Sequence, residues 1–162
     1  MDSNLIKSLN KIPLLEILSI KTTELISKLG KEINLNAGDY LFKEGDHGRK
    51  MYFILQGELE IFKKSSIVAI RKVGEFIGEM ALIESKPRSA CAKASISSTL
   101  FEIDQKVFQN HLFSNARVIQ EMLRTLSNRA REDLESHKKN RKEISSKKQS
   151  LRKDSFFFEV NS

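Results

Sequence analysis

The sequence lacks several features that would place it quickly in a class of protein. Its 162 residues include one cysteine, two prolines and no tryptophan. The single cysteine, Cys91, excludes an internal disulfide and paired-cysteine zinc sites, and it fits a reducing compartment. The histidines His47, His111 and His137 form no HxH or HxxxH pair. We therefore predict no metal site.

Long apolar runs are also absent. No window approaches 18 consecutive apolar residues, so the sequence predicts no transmembrane span. The first 20 residues contain no uninterrupted apolar stretch before a small-residue cleavage site, so we expect no signal peptide. With 40% hydrophobic and 30% charged residues, the composition is typical of a globular protein. We expect a cytoplasmic location.

The net charge of +7 is unevenly distributed along the chain. Residues 1–136 contain 20 basic and 18 acidic residues, whereas residues 137–162 contain 8 basic and 3 acidic residues. The body of the protein is therefore nearly neutral. Most of the basic excess lies in a stretch that we interpret as the end of a helix followed by a solvated tail.

The apolar pattern changes twice along the chain. Residues 4–29 show near-helical spacing interrupted by Pro13, and residues 32–104 form short alternating runs bounded by Gly, Asp and Asn. Helical spacing returns over 105–137, and residues 138–162 form the basic polar tail. We predict an α+β, mainly β protein: an antiparallel β-roll of the jelly-roll type, flanked by N-terminal helices and a long C-terminal helix.

The long helix carries an apolar stripe. Val118, Ile119, Met122, Leu126 and Ala130 recur at i, i+3 and i+4 spacing. Such a stripe packs on its own domain or on a second copy of itself, and we predict a homodimer through this helix. In the tail, Phe156–Phe158 predict docking on the domain or on a partner, and these two alternatives stay open.

The segment Gly74–Ala92 carries the chemistry. A short helix from Glu79 to Ile83, entered through Gly78, would present free backbone N–H groups to an anion. Arg88 would supply a planar countercharge, and Ser89 adds a hydroxyl donor beside it. A carboxylate next to a phosphate makes sense if it accepts from a sugar hydroxyl. The pattern therefore predicts a site for a sugar phosphate.

The sequence GEFIGEMALIESKPRSA resembles the phosphate-binding cassette of cyclic nucleotide-binding domains, as found in catabolite activator proteins and the regulatory subunits of cyclic-AMP-dependent kinases. The upstream segments 38–46 and 51–58 resemble the glycine-marked strand turns of that β-roll. The resemblance covers about residues 9–137.

The resemblance implies a role for each matching residue. Glu79 would accept the ribose 2′-hydroxyl and Arg88 would neutralise the cyclic phosphate. Backbone groups around five further residues would complete the cradle: Gly78, Met80, Ala81, Ser89 and Ala90. The base would lie against Leu59, Ile61 and Ile70 and under the C-terminal helix. Ser89 leaves cAMP and cGMP both open as ligands.

These implications predict a sensor or regulatory module in signal transduction. It would bind cAMP or cGMP, use no cofactor, and change the position of its C-terminal helix on binding. No kinase, channel or cyclase domain is visible, so we expect an effector in another protein. No helix-turn-helix can form between Lys138 and Ser162, which argues against DNA as a partner.

Two other functions stay open. One is a nucleotide-independent β-roll used for dimerisation or as a scaffold, and the other is a nucleic-acid binder acting through the basic tail. An enzyme is not expected, because no nucleophile–base pair, metal cluster or acid pair is visible in a plausible site.

Overall fold

A computed structural model describes the backbone of residues 2–160 and the side chains of residues 2–155. The chain forms two compact units, residues 1–122 and residues 123–162. Three short helices open the first unit: α1 (Ser3–Leu9), α2 (Pro13–Glu16) and α3 (Ile20–Leu29). Their apolar stripe is buried at Leu9, Leu15 and Ile26. Pro13 stands at the start of α2, where its missing N–H costs no hydrogen bond.

Eight strands follow, as the alternating pattern predicts. They are β1 (Lys31–Leu35), β2 (Tyr40–Phe42), β3 (Lys50–Gln56), β4 (Glu58–Lys63), β5 (Ser66–Lys72), β6 (Phe76–Ile77), β7 (Cys91–Ala94) and β8 (Ser98–Asp104), with the helix α4 (Glu79–Glu84) between β6 and β7.

The strands form two antiparallel four-stranded sheets, in the orders β1-β8-β3-β6 and β2-β7-β4-β5. Each sheet turns one face toward the other. Their shared core contains Tyr52, Ile54 and Leu100 from the first sheet and Leu59 and Ala92 from the second. Each large apolar side chain buried there stabilises the fold by about 1.5–3 kcal/mol. The predicted β-roll is confirmed.

The C-terminal region is helical almost throughout. Helix α5 (Gln105–Val107) leads into a π-helical segment (Phe108–Phe113), and helix α6 spans Ala116–Val160. Asn115 caps the start of α6 by accepting from the backbone N–H groups of Arg117 and Val118.

Helix α6 extends further along the chain than predicted from the sequence. It does not end near residue 137, where the solvated tail was predicted to begin, but continues to Val160. The reason is composition: no glycine or proline follows Arg88, and Lys, Arg, Glu and Gln are good helix formers. The side chains of Phe156–Phe158, whose docking was predicted, lie outside the described residues.

Candidate functional site

The predicted cassette lies between β6 and β7. Gly78 precedes α4 with a φ of +88°, a left-handed conformation that glycine adopts without steric cost. This turn directs the chain from the end of β6 into α4. Ser85 ends the helix with a φ of 53°, and the loop then returns through Arg88 to β7.

Arg88 is held from several sides. Its guanidinium Nη1 donates to the carbonyl oxygen of Gly78 at 2.9 Å, and Nη2 donates to that of Lys50 at 2.8 Å. The guanidinium lies 4.3 Å from the ring centroid of Phe42, within cation–π range. Only 6% of the residue is exposed. The side chain therefore has one well-defined position.

The backbone of Arg88 is fixed as well. Its N–H donates to the carbonyl of Asp46 at 2.8 Å, and its carbonyl accepts from the N–H of Gly45 at 2.9 Å. These two bonds tie the cassette loop to the turn between β2 and β3. The position of Arg88 thus depends on a segment some 40 residues earlier in the chain.

The electrostatics around Arg88 combine burial with nearby acidic groups. Burial lowers the pKa of the guanidinium from its ordinary value. Tyr52, Glu79 and Asp46 act on that pKa in the opposite direction. Arginine stays protonated in proteins, so Arg88 is a buried cation. A guanidinium has five N–H donors, and the two bonds to backbone carbonyls leave three that can meet an anion.

The other cassette residues differ in how far they are exposed to solvent. Glu79 is the first residue of α4 and is 4% exposed, and Ala81 is also buried. Met80 and Ser89 are exposed, and Ala90 is half-buried. Glu79 and Arg88 are close enough for their charges to interact. Two of the predicted ligand-binding side chains, one acidic and one basic, are therefore brought together and shielded from water.

The three predicted base contacts do not share one surface. Directly opposite residues of an antiparallel pair lie on the same face of the sheet, and neighbours along a strand alternate. Ile70 is opposite Glu60, whereas Leu59 is opposite Arg71 and Ile61 is opposite Ala69. Ile70 is therefore on the other face from Leu59 and Ile61, and it is 45% exposed while Leu59 is fully buried. The strand register therefore corrects the prediction that Ile70 lies on one surface with Leu59 and Ile61.

Several residues of the site were not predicted. Phe42 and Tyr52 appear in the sequence only as apolar strand positions, yet both rings lie beside the Arg88 guanidinium, at 4.3 and 6.0 Å. Gly48 touches the same guanidinium: a Cβ atom there would overlap it. The carbonyl of Lys50 has no sequence signal, since every residue carries one.

Tyr52 lies between the Arg88 site and an ion pair on the same sheet, formed by Lys50 and Glu102. Burial, together with the charge of Glu102 and the hydrogen bond to it, raises the pKa of Tyr52 to about 12, although the charge of Arg88 acts in the opposite direction. The Nζ of Lys50 lies 2.8 Å from Oε1 of Glu102. Lys50 thus contacts Glu102 through its side chain and Arg88 through its backbone.

Two cavities flank the segment between β2 and β3. One, of about 300 Å³, is lined by Arg88, Phe42 and Tyr52 among others. The other, of about 380 Å³, is lined by Ala81 and by the basic residues His47, Arg49 and Lys86 among others. The first cavity therefore has one cassette residue in its wall, Arg88, and the second has three, Ala81, Ser85 and Lys86.

Two features are absent from the part of the chain that the structure describes. Among residues 2–155, no group of three or more His, Cys, Asp or Glu side chains is placed to hold a metal ion. No helix in that range is both long and apolar enough to cross a membrane.

Comparison with known proteins identifies the class. Residues 32–115, about half of the chain, match the family model of the cyclic nucleotide-binding domain. The chain therefore belongs to this family, as the resemblance in the cassette implied.

The sequence relatives include kinases and kinase regulators. The chain is 31% identical over 106 residues to the cAMP-dependent protein kinase regulatory subunit of Emericella nidulans, which covers 64% of this chain and 26% of that protein. It is 28% identical over 91 residues to human cGMP-dependent protein kinase 2, covering 56% of this chain and 12% of that one. The alignments span about a quarter or less of these relatives' own length.

Solved structures share the fold. The structure of cAMP-bound PfPKA-R (141–441) superposes with a TM-score of 0.71 at 22% identity, covering 78% of this chain and 44% of that chain. The sensor domain of the transcriptional regulator DNR from Pseudomonas aeruginosa gives a TM-score of 0.67 at 23% identity, with coverages of 76% and 91%. At these identities the likeness supports the fold alone.

Proposed function

We propose that this domain binds a cyclic nucleotide, cAMP or cGMP, with Arg88 neutralising the cyclic phosphate and Glu79 accepting the ribose 2′-hydroxyl. One observation carries the proposal: a buried guanidinium, fixed by two backbone carbonyls, keeps three N–H donors beside a buried carboxylate. A planar guanidinium binds phosphate oxygens in pairs, through charge-assisted hydrogen bonds. The cyclic phosphate would accept from the N–H donors of Arg88 that do not bind the two backbone carbonyls.

Besides Arg88 and Glu79, backbone groups of the cassette would hold the phosphate and ribose, and apolar side chains would hold the base. Backbone N–H groups near Gly78, Met80 and Ala81, together with Ser89 and Ala90, form the proposed cradle, so the outward-facing side chains of Met80 and Ser89 do not count against it. Leu59 and Ile61 provide the proposed apolar wall for the base. Ile70, on the other face of its sheet, has no part in it.

The first experiment is thermal unfolding of dialysed protein with cAMP, cGMP or 5′-AMP. A ligand at 100 times its Kd adds about 2.7 kcal/mol to the free energy of unfolding. For a chain of this size that free energy raises Tm by roughly 5–10 °C. We expect this rise with a cyclic nucleotide and not with 5′-AMP. No rise with any of the three, in protein free of co-purified nucleotide, would favour the scaffold function instead.

Arg88→Ala tests the assignment of the phosphate contact. Deleting one partner of a buried charged contact costs about 2–4 kcal/mol of binding free energy. The matched control is Lys86→Ala, which removes a cation from the same loop where the side chain is 71% exposed. We expect the control to bind as the wild type does. Wild-type affinity in Arg88→Ala would refute the role of Arg88.

Binding would be transmitted by a population shift. Phosphate capture by Arg88 would draw the cassette inward and change the position of α6, and an effector protein would respond to that change. The proposed homodimer would use exposed apolar residues of α6 beyond Met122, since Val118 and Met122 are buried whereas Leu123 and Leu134 are each 62% exposed. Light scattering with and without nucleotide measures the oligomeric state.

A further inference from the structure

The C-terminal half of α6 is strongly basic and exposed. All residues from His137 to Ser155 are exposed to solvent. They include eight Lys and Arg residues and only two acids, Glu143 and Asp154. The basic residues are Lys138, Lys139, Arg141, Lys142, Lys147, Lys148, Arg152 and Lys153.

These charges are segregated around the helix. With about 100° of rotation per residue, two rows of cations form, separated by roughly 120° around the helix axis. Row one contains Arg141, Lys148 and Arg152, and row two contains Lys139, Lys142 and Lys153. Between the rows lie Lys138, Ser145 and Gln149.

The opposite side of the same helix is different. Glu143 and Asp154 are on that side, three turns apart, and Lys147 lies on the same side between them. The two apolar residues of this stretch, Ile144 and Leu151, form a narrow edge next to row one. Among the side chains that the structure describes, the cations of the two rows form no ion pair. Among residues 2–155, the positive charge of this face therefore has no acidic partner within ion-pair distance.

We propose that residues 138–153 of α6 bind duplex DNA, lying in the major groove with one row of cations toward each phosphate backbone. The major groove is about 12 Å wide and admits an α-helix. In this arrangement each row of cations faces one of the two phosphate backbones. The polar strip between the rows faces the edges of the bases. The stretch is about 24 Å long, enough to follow the groove over several base pairs. This mode is distinct from the helix-turn-helix recognition that the sequence argued against.

Other polyanionic surfaces fit this face less well. An amphipathic helix on a membrane needs a broad apolar face, and only Ile144 and Leu151 are available within 137–155. Double-stranded RNA has a deep and narrow major groove that a helix does not enter. The two-row arrangement therefore favours DNA over both.

The test is fluorescence anisotropy of a labelled 20-base-pair DNA duplex with the full chain, measured from 50 to 200 mM salt. With six phosphate contacts, the plot of log K against log salt has a slope of about −5, so affinity falls roughly 10³-fold over this range. Replacing row two by Lys139→Gln, Lys142→Gln and Lys153→Gln removes three contacts. We then expect a fall of only roughly 40-fold over the same range. Gln preserves the helix, which circular dichroism verifies.

The matched control has the same net charge as the row-two variant. It carries Lys7→Gln in α1, Lys11→Gln in the turn between α1 and α2, and Lys21→Gln in α3, all at exposed positions. We expect the wild-type salt slope in this control. Equal losses in both variants would show that net charge alone attracts DNA and would overturn the proposal. Tighter binding to RNA duplex or to vesicles with anionic lipid than to DNA would overturn it as well.

Discussion

Replacing Gly48 by alanine tests whether the position of Arg88 matters as much as its charge. Gly48 has no left-handed φ, so alanine fits its backbone without strain. The added Cβ would overlap Nε, Cζ and Nη2 of Arg88. The guanidinium has to move, although no charge is removed.

The expected magnitude follows from what the movement breaks. Arg88 would lose its bonds to the carbonyls of Gly78 and Lys50, at 2.9 and 2.8 Å. Overpacking a close contact costs about 1–3 kcal/mol of unfolding free energy. A displaced charge no longer meets the phosphate, so affinity for the cyclic nucleotide should fall roughly 30- to 1000-fold, the equivalent of about 2–4 kcal/mol.

Calorimetric titration with nucleotide and denaturant unfolding measure the two effects separately. Gly38→Ala is the control: Gly38 has a φ of +90° and no atoms near its Cβ position, so alanine there strains the backbone without touching Arg88. We expect this control to lose stability and keep its affinity. If Gly48→Ala binds nucleotide as tightly as the wild type, the structural account of Arg88 is wrong.

Two further predictions concern residues next to Arg88. Glu79→Gln should reduce the preference for cAMP over 2′-deoxy-cAMP, because the neutral amide is a weaker acceptor for the 2′-hydroxyl. Competition binding measures this preference, and an unchanged preference would count against the role of Glu79. Tyr52→Phe should flatten the alkaline loss of stability. The folded state raises the pKa of Tyr52 from 10 to about 12, so its contribution is complete below pH 10 and is lost as pH rises toward 12. Equal slopes of unfolding free energy against pH in the two proteins over that range would contradict the burial of this hydroxyl.

Most of the fold could be predicted from local patterns. The alternating runs predicted the strands of the roll, and the hairpin of β4 and β5 turns through Lys64 and Ser65. Gly78 marked the entry to α4 because glycine is suited to a left-handed turn. The end of α6 was not predicted, because high polarity was interpreted as a solvated tail although the same residues are good helix formers.

The candidate site could be predicted only in part. Glu79 and Arg88 are nine residues apart and both belong to one motif, so their proximity was accessible from the sequence. The family resemblance grouped Ile70 with Leu59 and Ile61 as contacts of the base. Their faces depend on the hairpin register, and a shift of one residue moves a side chain to the other face of the sheet.

The sequence by itself determined the residue types of the site, the order of helices and strands, and the family, because each of these depends on residues close together in the chain. Tertiary structure alone decided how Arg88 is held. Phe42, Gly48, Lys50 and Tyr52 reach its guanidinium from 36 to 46 positions away in sequence. Such contacts form only when β2 and β3 pack beside the cassette, and packing of distant segments leaves no local pattern in the sequence.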